Sequence, residues 1–91
     1  MWETTDPDGR RVLLTQPRWR QIAEQHPELA SSRDAILAAV ALPEASRPGH
    51  EPNEEWFYAR SVGPSGWVRV VVHYHESVGS ITTAFPRRDL P

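Results

Sequence analysis

The stretch from Trp67 to His75, Trp-Val-Arg-Val-Val-Val-His-Tyr-His, constrains the fold more than any other part of the chain. Alternate side chains of an extended strand point to opposite faces. Val68, Val70, Val72 and Tyr74 therefore lie on one face, and Trp67, Arg69, Val71, His73 and His75 on the other. Residues Ser80 to Phe85 make the natural antiparallel partner. With Glu76 to Gly79 as a four-residue turn, His75 pairs with Ser80, Tyr74 with Ile81, Val72 with Thr83 and Val70 with Phe85. The predicted core face is then Val70, Val72, Tyr74, Ile81, Thr83 and Phe85. Arg69, His73, His75 and Thr82 fall on the open face.

The rest of the chain supplies two helices and further strands. Residues 1–10 are polar and turn-rich, with Asp8-Gly9 as a turn, and read as a flexible arm ahead of a single domain over 11–91. Arg11 to Leu14 suits a short edge strand. Thr15 is a helix N-cap with Pro17 just inside the helix, where its missing N–H costs nothing. Trp19, Ile22, His26 and Leu29 follow at helical spacing, and Pro27 ends the helix near His26. Ser31 and Asp34 have the spacing of a capping box before a second helix, Ala35 to Leu42, which Pro43 stops. Glu44 to Glu55 reads as an edge strand and an exposed loop. Trp56 to Val62 is a strand, and Gly63-Pro64-Ser65-Gly66 turns it into the central one. The expected class is α+β, with two N-terminal helices on one face of a four- or five-stranded antiparallel sheet.

At 91 residues the chain has room for one domain. It has no cysteine, which removes disulfides, zinc-thiolate sites and thiol catalysis. No apolar run approaches the roughly 18 residues that span a bilayer, and the N-terminus lacks a basic-then-apolar signal, so a cytoplasmic location is expected. All ten basic residues are arginine. Against a net charge of −2, residues 1–55 hold six arginines and ten acids, and residues 56–91 hold four arginines and two acids. The sheet half is thus mildly basic.

Several side chains suit chemistry. His73 and His75 stand about 7 Å apart on one strand face, a spacing one metal can bridge, with Glu76 or His50 as a third ligand. His26 sits on an apolar helix stripe at a helix C-terminus, which favours a protonated imidazole and proton transfer. Arg60 shares a strand face with Trp56 and Tyr58, a phosphate contact beside aromatic platforms for a base. No nucleophile motif, glycine-rich phosphate loop or paired-carboxylate pattern is present, so serine-hydrolase, kinase and glycosidase chemistry has no basis here.

The order of these motifs carries a resemblance. A helix with Trp19, Ile22, His26, Pro27, Glu28 and Leu29 precedes a second helix ending at Pro43. A strand with Phe57, Tyr58 and Arg60 follows, then Trp67 to Val72, then Ile81-Thr82-Thr83-Ala84-Phe85. This resembles the phage- and mobile-element-associated nuclease domains of the barnase–EndoU–colicin–RelE superfamily, over roughly residues 11–88. The resemblance implies a RelE- or barnase-like fold and metal-independent RNA cleavage by 2′-hydroxyl attack on phosphate, without a cofactor. It also implies a toxin role, an RNA or ribosome-associated substrate, and a cognate antitoxin or immunity protein as partner. Carried onto this sequence, the catalytic residues are His26, Arg60 and Thr83. Trp56, Tyr58, Arg69, Arg87 and Arg88 are the expected substrate contacts. A non-catalytic protein-interaction module on the same fold is the alternative, since tryptophan and arginine also anchor protein interfaces.

Overall fold

The computed structural model describes residues 1–88. Along the chain run β1 (Trp2–Thr5), β2 (Arg11–Leu14), α1 (Gln16–Gln25), a 3-10 turn (Pro27–Leu29), α2 (Arg33–Ala41), β3 (Ala45–Pro48), β4 (Glu54–Arg60), β5 (Trp67–His75) and β6 (Val78–Arg87). Thr15 caps α1 as expected, its Oγ1 accepting from the Arg18 N–H at 3.3 Å. Helix α1 ends at His26, whose φ of −132° and ψ of 77° leave the helical region because Pro27 disfavours it there. The expected box at Ser31 and Asp34 does not form. Ser32 precedes the first turn of α2 and makes no side-chain cap bond.

All six strands join one sheet in the order β1-β2-β6-β5-β4-β3. The α+β class stands, but the sheet is mixed and six-stranded, not the four or five antiparallel strands of the RelE- or barnase-like arrangement expected. Two features overturn that expectation. First, the supposed arm contains β1, which pairs with β2 from Trp2–Leu14 to Thr5–Arg11 across a turn at Asp8-Gly9. Second, β2 is an interior strand running parallel to β6, with Arg11, Val12 and Leu13 opposite Val78, Gly79 and Ser80. Helix α2 packs across β1, β4 and β5, while α1 packs along β6. Ile36, Ala39 and Val40 of α2 meet Val68, Val70 and Val72 of β5 in the core, with Ile22 and Leu29 closing it. No helix among the described residues is long and apolar enough to cross a membrane.

The β5–β6 register departs from expectation in two steps. Only Glu76 and Ser77 form the turn, with Glu76 at φ 58°, so His75 pairs with Val78 and Val72 with Ile81. That two-residue shift preserves the faces, and Ile81 stays in the core. Thr82 is then an extra residue in a β-bulge, its Oγ1 bonding the Val71 carbonyl at 3.3 Å. Beyond it the phase reverses. Val70 pairs with Ala84, which is fully buried, and Val71 and Arg69 pair with Thr83 and Phe85. Thr83 and Phe85 therefore leave the predicted core for the opposite face.

The N-terminal hairpin is fastened to the sheet by Asp6, whose side chain is fully buried. Its carboxylate accepts from the Tyr74 hydroxyl at 2.6 Å, the Arg10 Nε at 2.8 Å, and the backbone N–H groups of Asp8 and Arg10. Arg10 also bonds Glu55 and lies 3.7 Å over the Tyr74 ring. Tyr74 reaches Asp6 across Gly79, where a Cβ would stand 2.8 Å from the ring edge. Burial pushes the Asp6 carboxyl upward, but the bonds from Tyr74 and Arg10 outweigh it and hold Asp6 below the usual aspartate value. Burial and the Asp6 contact in turn push the Tyr74 hydroxyl well up, so it stays a donor.

The depressed Asp6 value fixes a sign. Its contribution to stability is complete above the unfolded value of about 3.9 and is lost as pH falls through the lower native value. Urea unfolding of Asp6→Asn at pH 7 should show a loss of roughly 1–3 kcal/mol. The gap between the variant and the wild type should narrow when the same measurement is made below pH 3.

Candidate nucleic-acid interface

The sheet face turned away from α2 carries most of the residues expected to bind or act. Cross-strand partners share a face, so the register places them in rows. Arg60, Trp67 and Arg87 form one row, Tyr58, Arg69 and Phe85 the next, and Trp56, Val71 and Thr83 the third, with Arg47 of β3 beside Trp56. The bulge at Thr82 puts Thr83 here, beside the arginines, and not in the core.

Arg69 is the centre of this face and only 8% exposed. Its guanidinium lies 3.9 Å over the Trp56 ring, 5.3 Å from the Phe85 ring and 5.4 Å from that of Tyr58. Its Nε donates to the Tyr58 hydroxyl at 2.8 Å. Among the described residues no carboxylate pairs with it, and its terminal nitrogens are neither bonded nor sealed from solvent. Aromatic faces attract a guanidinium by about 0.5–2 kcal/mol each, which offsets part of its desolvation without using its outer donors.

Arg47, Arg60, Arg69 and Arg87 have no carboxylate within ion-pair distance among the described residues; elsewhere Arg10, Arg11 and Arg33 are paired, and Arg18 and Arg20 on α1 are not. Glu54, an acid on this face, accepts from the Trp56 Nε1 and the His50 N–H, both at 3.0 Å. The Arg60 backbone N–H bonds Glu44, but its guanidinium lies 4.8 Å over Trp67.

Two imidazoles flank the cage. His26, at the end of α1, stands 6.2 Å from Phe85 with its side chain 31% exposed, and its Nδ1 lies 3.8 Å from Glu28. His50 meets Trp56 edge-on at 4.8 Å. Rings and guanidinium thus run His26, Phe85, Arg69, Trp56, His50 across the face. His50 and Phe85 were not foreseen as parts of this cluster. His50 lies in a loop with no periodicity, and the bulge concealed Phe85.

The remaining expected residues divide. Tyr58 is fully buried, so it cannot stack on a base and instead positions Arg69. Arg60 lies one row from Arg69, and Arg69 is the arginine that shares the Phe85 ring with His26. Arg88 is exposed just past β6. His73 and His75 are exposed further along β5, His73 opposite Glu54. Among the described residues no three His, Cys, Asp or Glu side chains come together as a metal site. A separate cleft of about 210 Å³ between Trp19 and Arg33 is lined by an arginine already paired with Asp34.

An unpaired buried charge is poor for stability, so its removal separates a structural role from a functional one. Arg69→Met, made together with Tyr58→Phe so that no buried hydroxyl loses its partner, should leave unfolding free energy within about 1 kcal/mol of the wild type, or raise it, because a flexible apolar chain fits between Trp56 and Phe85. Chemical denaturation checks this; a loss above about 3 kcal/mol would assign Arg69 to the scaffold. No protein-family model, curated protein or solved structure matches the chain.

Proposed function

We propose that this face binds single-stranded RNA in the cytoplasm and promotes its cleavage by internal attack of a 2′-hydroxyl on the neighbouring phosphate. The observation that carries this reading is the set of arginines on one sheet face that have no carboxylate partner among the described residues and are interleaved with aromatic rings. Unpaired guanidinium groups supply forked donors for phosphate oxygens, and flanking rings supply contacts to bases. The likeness of the helix around His26 and the strand Ile81 to Phe85 to nuclease motifs supports the same chemistry.

In this reaction the 2′-oxygen attacks phosphorus and the bond to the 5′-oxygen breaks, leaving a 2′,3′-cyclic phosphate and a 5′-hydroxyl. One proton leaves the 2′-oxygen and one reaches the 5′-oxygen. His26 is the proton-transfer group, because it is the half-exposed imidazole that shares Phe85 with Arg69. Arg69 holds the phosphate oxygens as charge builds on them, from a cage that fixes its orientation beforehand. The Thr83 hydroxyl, two residues before Phe85 on the same strand face, orients a phosphate oxygen.

Incubation of the protein with end-labelled single-stranded RNA tests the reading. Cleavage should yield cyclic-phosphate ends. His26→Ala should slow it about 10²–10⁴-fold with an unchanged melting temperature, since His26 is partly exposed. Arg69→Ala should weaken both binding and rate. RNA that binds but stays intact would leave a binding face without catalysis, and a wild type that neither binds nor cuts would remove the reading altogether.

A further inference from the structure

Trp67 lies between two arginines, Arg60 on β4 and Arg87 on β6. Arg60 reaches 4.8 Å over its ring. The Arg87 Nε is enclosed yet has no hydrogen-bond partner among the described residues. The Nε itself is closed to a ligand, but the terminal nitrogens of the same guanidinium are not enclosed and carry no hydrogen bond among the described residues, so they are the forked donors a phosphate can reach. Neither guanidinium has a carboxylate within ion-pair distance among the described residues; the Glu44 carboxylate beside Arg60 accepts from its backbone N–H instead.

Position along the strand sets what that ligand is. Trp67 and Arg69 are two residues apart on one face of β5, a separation of about 7 Å. One sugar–phosphate unit of an extended nucleic-acid strand covers a similar span. Resting on the RNA-binding reading above, we propose that Arg60 and Arg87 form a second phosphate subsite. It lies one nucleotide along β5 from Arg69, with Trp67 as the contact surface for the adjoining base. The RNA then runs along β5, and the domain grips two consecutive phosphates. Arg60 in this arrangement measures substrate length and direction and is not the arginine at the cleaved bond.

The salt dependence of binding reads the number of phosphates engaged. Each phosphate contact on a single strand contributes about 0.7 to the slope of log affinity against log salt. A 2′-O-methyl octanucleotide, which cannot be cleaved, is titrated by fluorescence anisotropy over a range of salt. The proteins compared are the wild type, Arg60→Gln, Arg60→Gln/Arg87→Gln, and Arg18→Gln/Arg20→Gln as a control of equal charge change on α1. Circular dichroism melts show which of them fold, and the exposed Arg60→Gln alone carries the test if the double variant does not.

The expected result is a slope shallower by up to about 0.7 for Arg60→Gln and by about 0.7 for the double variant, which releases the one phosphate of this subsite, with the control unchanged. An unchanged slope in both Arg60 variants would overturn the subsite while leaving the RNA-binding reading on Arg69 intact. An equal fall in the α1 control would overturn it also, since bulk charge would then account for the effect. A wild type with no affinity for the octanucleotide would overturn both proposals.

Discussion

One buried carboxylate, Asp6, ties together parts of the chain that lie far apart in sequence. Strand β2 meets β6 over only three residue pairs, and β1 meets the sheet only through β2. Asp6 adds a bond to Tyr74, 68 residues away, and through Arg10 a link to Glu55 on β4. The consequence passes along the chain. Helix α1 begins directly after β2 at the Thr15 cap, so the angle at which β2 is pinned sets where α1 lies along β6. The far end of α1 is His26, and its approach to Phe85 depends on that placement.

Strand β5 divides the molecule chemically. Its even-numbered residues are apolar and fully packed, an ordinary core face. Its other face buries Arg69 and Val71 among aromatic rings, so it is neither a solvated surface nor a second hydrophobic core. Arg10, Arg11 and Arg33 outside this face pair with Asp6, Glu3 and Asp34, while the arginines on it have no such partner among the described residues. Four guanidinium groups on one face without carboxylates cost electrostatic stability within the domain and leave donors for something outside it. The overall charge of −2 hides this, because the acids are concentrated in the first 55 residues.

Features governed by local physics were legible in the sequence. The Thr15 cap, the end of α1 before Pro27, the apolar half of β5 and the shared face of Trp56, Tyr58 and Arg60 all follow from steric rules or a period of two. Features governed by distant partners were not. Trp-Glu-Thr-Thr is too polar to read as a strand, and β1 forms because β2 offers it an edge and Asp6 locks the turn. Nothing in Arg11 to Leu14 announces a parallel neighbour 67 residues further on. The bulge gave no signal either, since Thr82 is neither glycine nor proline and its hydroxyl bond to Val71 is specific to the folded pair. That single residue decided whether Thr83 and Phe85 belonged to the core or to the candidate site.

The parallel pairing of β2 with β6 also sets an order of events during synthesis. Sheet order places the strand made last between the strand made second and the strand made fifth. Until β6 has left the ribosome, β2 and β5 have no common neighbour, and Asp6 and Tyr74 have no register that brings them together. Contacts of such long separation form late because the chain entropy of closing the intervening loop must be overcome first. The face centred on Arg69 gains Phe85, Thr83 and Arg87 in the same final step. A growing chain therefore lacks an assembled site until β6 has left the ribosome, and whatever this face does waits on that strand.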